Sequence, residues 1–303
     1  MIKQLNITKC IKPFIVLALM ISACLFNYQP AYAESSADLR GLTLSPLRSE
    51  LEISPGTSLD GILTVKNSTD KLMTVSLVAE EFSVINQQYD YAFTAESNMA
   101  KWVSFSPSEV DLIAGETKQV KYTVGVPLLA EPGGRYISLF ASTDTGNLDN
   151  AIKSRQRVAS LLYITVSGKV TRVGSLASLS SPWLISDSSS WSVALRNSGT
   201  THFRSRYDVQ VLNLIGNDVV ASIPGDALIL PGTIRLINNI LPLPKLPGIY
   251  KVVYMIGLGD SPAVTETRYI IYAPIYAIFI FIAIITSLVS ILANKIRKIR
   301  QKN

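Results

Sequence analysis

Ile62-Leu-Thr-Val-Lys-Asn-Ser-Thr-Asp70 and Trp191-Ser-Val-Ala-Leu-Arg-Asn-Ser-Gly-Thr200 follow one local plan, an alternating run that ends in an Asn-Ser turn. Alternation with period two sends successive side chains to opposite faces, so each run reads as a strand with one buried and one wet side. Two further pairs follow in the same order. Leu112-Ile-Ala-Gly115 answers to Leu228-Ile-Leu-Pro-Gly232, and Glu131-Pro-Gly-Gly-Arg-Tyr136 answers to Leu246-Pro-Gly-Ile-Tyr250. From Asn to Gly to Tyr the steps are 48 and 21 residues in the first half, 35 and 18 in the second. A plan repeated at this scale predicts two tandem units of one fold, the first enlarged by an insertion at about 80–104.

The rest of the chain between these motifs also reads as strands. Helical periodicity is absent, and short β-branched or aromatic runs alternate with Gly, Pro, Asn, Ser and Asp. Strands are predicted near 42–45, 49–53, 60–66, 73–85, 88–93, 102–106, 117–126, 134–142 and 157–167. In the second half they fall near 170–180, 191–197, 205–214, 226–241, 249–258 and 263–272. The spacing is that of an all-β chain with two tandem immunoglobulin-like β-sandwich domains, residues 34–168 and 169–269. The Tyr after each Pro-Gly reads as one packing at a sandwich corner.

The two ends of the chain carry targeting signals. Residues 1–33 combine Lys3, Lys9 and Lys12, an apolar run from Pro13 to Phe26 and a closing Ala31-Tyr32-Ala33, which is the pattern of a cleaved signal peptide. Ile21-Ser22-Ala23-Cys24 also resembles a lipobox, which leaves acylation of Cys24 as an alternative processing route. Tyr269–Asn294 is a stretch of 26 residues without a charge, bounded by Arg268 and Lys295. As a helix it measures about 39 Å, more than the ~30 Å of a hydrocarbon core. A transmembrane helix over 270–294 is therefore expected, with Tyr269, Tyr272 and Tyr276 in the outer aromatic belt. Lys295, Arg297, Lys298, Arg300 and Lys302 in the tail at 295–303 place that tail in the cytoplasm by the positive-inside rule.

This topology changes what the composition means. The formal net charge of +6 includes three basic residues in the leader and five in the tail; the remaining 20 Lys and Arg face 22 Asp and Glu, about −2. A nucleic-acid partner therefore loses the basic surface it would need. Both cysteines, Cys10 and Cys24, lie in the leader, so the ectodomain is expected to hold no disulfide and no thiol nucleophile. His202 is the single histidine and sits in a Thr-Thr-His-Phe turn, a poor setting for the base of a triad. Glu80, Glu81, Asp144 and Asp149 read as surface charge, and no spacing typical of a metal or phosphate site occurs. No enzyme, metal or cofactor is expected.

Two binding surfaces suggest themselves. In the insertion, Gln87-Gln88-Tyr89-Asp90-Tyr91-Ala92-Phe93 sets aromatics at every second position, so Tyr89, Tyr91 and Phe93 are expected on one strand face, with Trp102 beside them. That face is either core packing or an open platform for sugar rings or a partner's apolar strand. In the second domain, which has 9 basic against 6 acidic residues, Arg196, His202, Arg204 and Arg206 form either a basic patch for an anionic polymer or lipid headgroups, or a solvated face.

The order of signal peptide, β domain with an Asn-Ser-Thr-Asp turn, Asp-Tyr insertion, Ala-Gly turn, Val126-Pro127 strand end, second β domain, helix and basic tail resembles the WxL-interacting protein family of Gram-positive surfaces. The resemblance implies a membrane-anchored protein whose first domain associates with peptidoglycan and whose second contacts other surfaces or proteins. The expected function is therefore a single-pass, extracellular binding or scaffold protein that engages cell-wall polymer or a surface-protein partner. A sandwich-type chaperone for surface-protein assembly or secretion is the alternative, and it would need an exposed strand edge.

Overall fold

The computed structural model describes residues 41–145 and 154–300. The leader, its cysteines and cleavage signature, Asp149 and Lys302 lie outside the described residues, as do the side chains of Asp144, Lys295, Arg297, Lys298 and Arg300.

Ten strands precede residue 167: β1 (Leu42–Ser45), β2 (Arg48–Ile53), β3 (Ser58–Asn67), β4 (Met73–Val84), β5 (Tyr91–Thr94), β6 (Val103–Ser106), β7 (Glu109–Leu112), β8 (Thr117–Gly125), β9 (Gly133–Thr145) and β10 (Ser154–Val166). They form a smaller sheet in the order β1-β3-β8-β6 and a larger one in the order β2-β10-β9-β4-β5, with β7 also on β4. Eight follow: β11 (Gly174–Ser180), β12 (Leu184–Ile185), β13 (Ser190–Asn197), β14 (Phe203–Asn213), β15 (Val219–Ile229), β16 (Ile234–Ile240), β17 (Gly248–Leu258) and β18 (Ser261–Tyr272). These make a sheet β11-β13-β16 and a sheet β12-β18-β17-β14-β15. The chain is thus all-β, with two immunoglobulin-like sandwiches in tandem and one C-terminal helix, α1 (Ile275–Arg300).

The halves share topology as well as motifs. In each, the first strand joins the smaller sheet and the second crosses to lie parallel to the last strand: β2 on β10 in the first half, β12 on β18 in the second. The repeated Asn explains why the motifs recur in order. Asn67 is fully buried, and its Nδ2 donates to the carbonyls of Lys71, Leu112 and Ile113 at 2.7–3.1 Å while its Oδ1 accepts from Thr69 N. Asn197 repeats this, donating to Thr201 and Ile229 and accepting from Gly199 N. In both halves the first motif is thereby stitched to the second, whose Gly115 and Gly232 adopt φ of +74° and +73° to close the turn. The third motif diverges. Tyr250 Oη donates to Leu246 O at 2.7 Å, a corner bond of the expected kind, whereas Tyr136 points away to the second sandwich.

The inward alternation of the strands supplies the cores. Leu63, Val65, Val120 and Val124 of the smaller sheet meet Val75, Leu77, Ile137, Leu139, Leu162 and Ile164 of the larger one. In the second sandwich Trp191 and Tyr254 are wholly buried and stack edge to face at 5.7 Å among Val193, Leu195, Val211 and Ile270.

Three predicted elements differ. The run at 226–241 is two strands, β15 and β16, split by the Pro231-Gly232 turn. The run at 88–93 is a strand only from Tyr91 onward. The helix starts at Ile275 rather than 270, because β18 continues to Tyr272 and Pro274 disfavours a helical residue before it. Pro274 O then accepts Ala277 N at 2.8 Å and opens the helix. Its segment Ile275–Ala293 is long and apolar enough to cross a membrane, and none of it is buried in the protein.

Candidate functional site

The outer face of the larger sheet of the first sandwich carries the site. On β4, residues facing the core alternate with Val78, Glu80, Phe82 and Val84, which face out; Phe140 and Tyr136 of β9 and Tyr163 of β10 lie on the same side. Outward phenylalanines and tyrosines need a cover, and the second sandwich supplies it over part of the face. Phe82, Tyr89, Tyr163, Leu228 and Leu230 form one buried cluster, with Tyr91, Tyr136 and Leu161 packed against it. Phe82 stacks edge-on with Tyr91 at 5.3 Å and Tyr163 at 5.5 Å.

The insertion acts as a clamp within this cluster. Asn86 and Asp90 tie the loop after β4 through Nδ2–Oδ2 and Oδ1–N bonds of 2.7 and 3.1 Å. Tyr89 between them has φ +68°, a conformation outside the strand region. The expected placement of Tyr89 on one face with Tyr91 and Phe93 is therefore corrected. Tyr89 leaves β5, is buried, and crosses to the second sandwich, where its Oη accepts Leu230 N at 2.8 Å and lies 2.7 Å from Thr233 Oγ1. The Arg235 guanidinium covers its ring at 4.4 Å, and Gln87 O accepts Leu236 N at 2.8 Å. Burial pushes the Tyr89 phenol above its ordinary pKa, so it stays a neutral hydrogen-bonding group.

His202 is part of the same joint. It is buried against the rings of Tyr136 and Tyr163, each 5.7 Å away, with Nδ1 3.4 Å from Tyr136 Oη. Burial lowers its pKa to about 4, against a smaller opposing effect of Glu50. The imidazole is thus neutral near pH 7. Around it, Gly134 N donates to Thr200 O, Thr165 and Thr201 pair through their hydroxyls at 3.0 Å, and Arg204 bridges Glu50 and Asp226. A cleft of about 380 Å³ lies here, lined by Glu50, Glu52, Arg172, His202, Arg204 and Asp260.

The expected basic patch is corrected by the same geometry. Arg196 points outward from β13 in the smaller sheet, while Arg204 and Arg206 point outward from β14 in the larger sheet, the opposite face of the sandwich. His202 is buried and neutral, and Arg204 is held by two carboxylates.

The part of the face left uncovered keeps two of the expected aromatics. Tyr91 and Phe93 do share a side, 6.4 Å between rings; Tyr91 is half-buried and hydroxyl-bonded to Tyr163, whereas Phe93 is 40% exposed. Phe93 stacks edge-on with Phe140 at 4.9 Å, and Phe140 lies beneath Arg157, whose guanidinium sits 3.3 Å from the ring and pairs with Glu80. Val78, 43% exposed, completes the strip. Trp102 is not beside it: the residue belongs to a 3-10 turn leading into β6 and packs on the first sandwich's core.

Past Arg157, beyond Phe140, the face reaches the edge of β10. β2 covers β10 only from Leu161 to Val166, and Leu161 N donates to Leu47 O on that side. By alternation the N–H and C=O of Arg157 and Ala159 point the same way. Among the described residues Ser154–Ser160 pairs only with β9, so those groups have no backbone partner.

No protein-family model and no curated protein matches the chain. Among solved structures it is similar to the class 5 fimbriae chaperone CfaA at 10% identity and TM-score 0.41, covering 75% of this chain and 99% of that one. It is also similar to a chain of the Salmonella enterica SafA pilin complex with the SafB chaperone, at 10% identity and TM-score 0.38, covering 76% and 97%. The E. coli chaperone DraB is matched at 13% identity and TM-score 0.37, covering 75% and 98%.

Proposed function

We propose that the chain is an exported protein, anchored by α1 with its sandwiches outside the cell, that binds an extended segment of another exported polypeptide by strand addition. This is the role of an assembly or secretion chaperone, or of a scaffold that holds a surface protein. The observation that carries the reading is the first half of β10, which among the described residues pairs only with β9, on a face where Phe140 lies under Arg157 and Val78 and Phe93 farther along are exposed. An incoming strand would gain backbone hydrogen bonds from Arg157 and Ala159, and its alternate side chains would continue the face toward Phe140. Edges are usually blunted by charge, proline or cover; here Arg157 supplies one charge, and among the described residues β2 covers β10 only from Leu161 onward. The reading rests on this edge, and the loose superposition on fimbrial chaperones adds nothing to it. Wall polymer, the ligand that the family resemblance implies, is the second candidate for the strip, since Phe93 offers an open ring to a sugar.

Photo-crosslinking residues at Ala159, on the edge of β10, and at Phe93, on β5 at the other side of the sheet, used separately in intact cells, test the reading. An adduct at Ala159 with a discrete exported polypeptide supports it, and an adduct at Phe93 with glycan alone moves the function to wall binding. No adduct at either position, with the chain folded and exported, refutes both.

A further inference from the structure

We infer that the end of the second sandwich next to α1 is itself a lipid-contacting surface, seated in the headgroup zone of the leaflet from which the helix enters. The inference rests on the reading of α1 as a membrane anchor and adds which part of the folded domain touches lipid.

Strand register gathers the relevant residues at one end. Tyr272 at the close of β18 pairs with Gly248 at the start of β17, and Tyr250 pairs with Asn213 at the close of β14. The β14–β15 turn, the segment before β17 and the β12 edge therefore all lie where the chain leaves for the helix. That end is unusually apolar at its surface: Trp183 is 70% exposed, Ile215 88% and Leu246 69%. On the outer face Ile249, Ile271 and Leu184 form one cross-strand row over β17, β18 and β12, and each is exposed. Exposed apolar side chains scattered singly are normal, but a continuous row with three flanking residues calls for a cover.

The connection to α1 says what the cover is. Only Ala273 and Pro274 separate β18 from the helix, and Ala273 N is bonded to Ile185 O, so this end cannot move off by more than a few residue lengths. At 1.5 Å per residue, the 20 residues from Ile275 to Asn294 span about 30 Å, the thickness of the hydrocarbon core. The hydrocarbon boundary then falls near Ile275, and the row at Ile271, four residue steps away, stands at most about 14 Å above it at ~3.4 Å per strand residue, and less as β18 tilts. The next row up pairs Lys251 with Tyr269, a cation and an amphipathic ring suited to the phosphate level. Apolar residues below, Lys and Tyr above, and Trp183 at the flank match the polarity gradient of a lipid interface.

Depth measurement by spin label tests this on the full chain, with Cys10→Ser and Cys24→Ser, in anionic-lipid nanodiscs. Single cysteines are placed at Trp183, Ile215 and Leu246, with Ile285 in the helix and Leu129 on the first sandwich as references. The expected result is an Ile285 label deep in lipid, and labels at 183, 215 and 246 with collision rates toward a water-soluble nickel chelate several-fold below that at Leu129 and raised access to oxygen. Labels at 183, 215 and 246 as open to nickel as Leu129, with Ile285 deep, overturn the inference and leave the anchor. Labels shielded from both nickel and oxygen indicate a protein cover and overturn it as well. An Ile285 label in water overturns the anchor reading itself.

Discussion

Replacing Tyr89 with Phe removes one oxygen from the joint between the sandwiches and little else. The ring, its contact with Arg235 and the turn set by Asn86 and Asp90 remain, but Leu230 N loses its acceptor in a buried site and Thr233 Oγ1 loses a partner. Thr233 keeps its bond to Leu230 O, so the cost falls mainly on the orphaned amide. A buried donor left unsatisfied costs about 1–3 kcal/mol, and with a urea slope of about 2 kcal/mol/M the midpoint should fall by about 0.5–1.5 M. Tyr89→Ala also empties the cluster of Phe82, Tyr163, Leu228 and Leu230, which for a large aromatic costs about 3–5 kcal/mol. The assay is urea unfolding of the full chain in mild detergent, followed by tryptophan fluorescence; Trp102 reports the first sandwich and Trp191 the second. Wild type should unfold in one step and Tyr89→Ala in two, because the joint couples the sandwiches. A Tyr89→Phe midpoint within 0.2 M of wild type, or a Tyr89→Ala chain that still unfolds in one step at the wild-type midpoint, would refute the clamp.

Asn67→Ala should cost about 2–4 kcal/mol, since several buried carbonyls lose their donor at once, and Asn197→Ala should do the same in the second sandwich; thermal melts of the two variants check this. Acidification should weaken the joint through His202. Its folded pKa of about 4 lies below the ordinary 6.5, so the unfolded chain binds the extra proton between those values. The stability is present above pH 6.5 and is lost as pH falls toward 4, a change of about 3 kcal/mol at most that His202→Gln should remove from the pH profile of the urea midpoint.

Features set by local chemistry were legible in the sequence. The Asn-Ser turns, the Leu-Ile turns closed by Gly115 and Gly232, and the alternation around them led to two sandwiches of one plan, and the structure adds that Asn67 and Asn197 physically join those motifs. The apolar helix was legible from length and charge alone. The site was only half legible. Tyr91 and Phe93 do share a face, but Tyr89 was misplaced because Asn86 and Asp90 close on each other and turn the chain before the strand begins. One signal was available: the outward side of β4 changes from Thr74, Ser76 and an exposed Val78 to Phe82 and Val84 beyond Glu80, which marks a wet face becoming a covered one. Which residues cover it depends on register across four strands and on a second domain, neither of which periodicity encodes. The dispersal of Arg196, Arg204 and Arg206 over opposite faces has the same origin, since closeness in sequence does not fix which sheet a residue joins.

The central claim is that the first half of β10 receives a partner strand, and Ala159→Pro addresses it most directly. The N–H of Ala159 points away from β9, so proline there leaves the β9–β10 ladder intact while removing the outward donor and filling its place with ring carbons. The measurement is the affinity of the full chain for a peptide taken from the polypeptide crosslinked at Ala159, wild type against Ala159→Pro, with melting temperatures recorded alongside. Loss of one strand hydrogen bond with added steric exclusion, about 1.5 kcal/mol or more, predicts an affinity at least about tenfold weaker with the melting temperature nearly unchanged. Equal affinity in a folded Ala159→Pro chain would contradict the account.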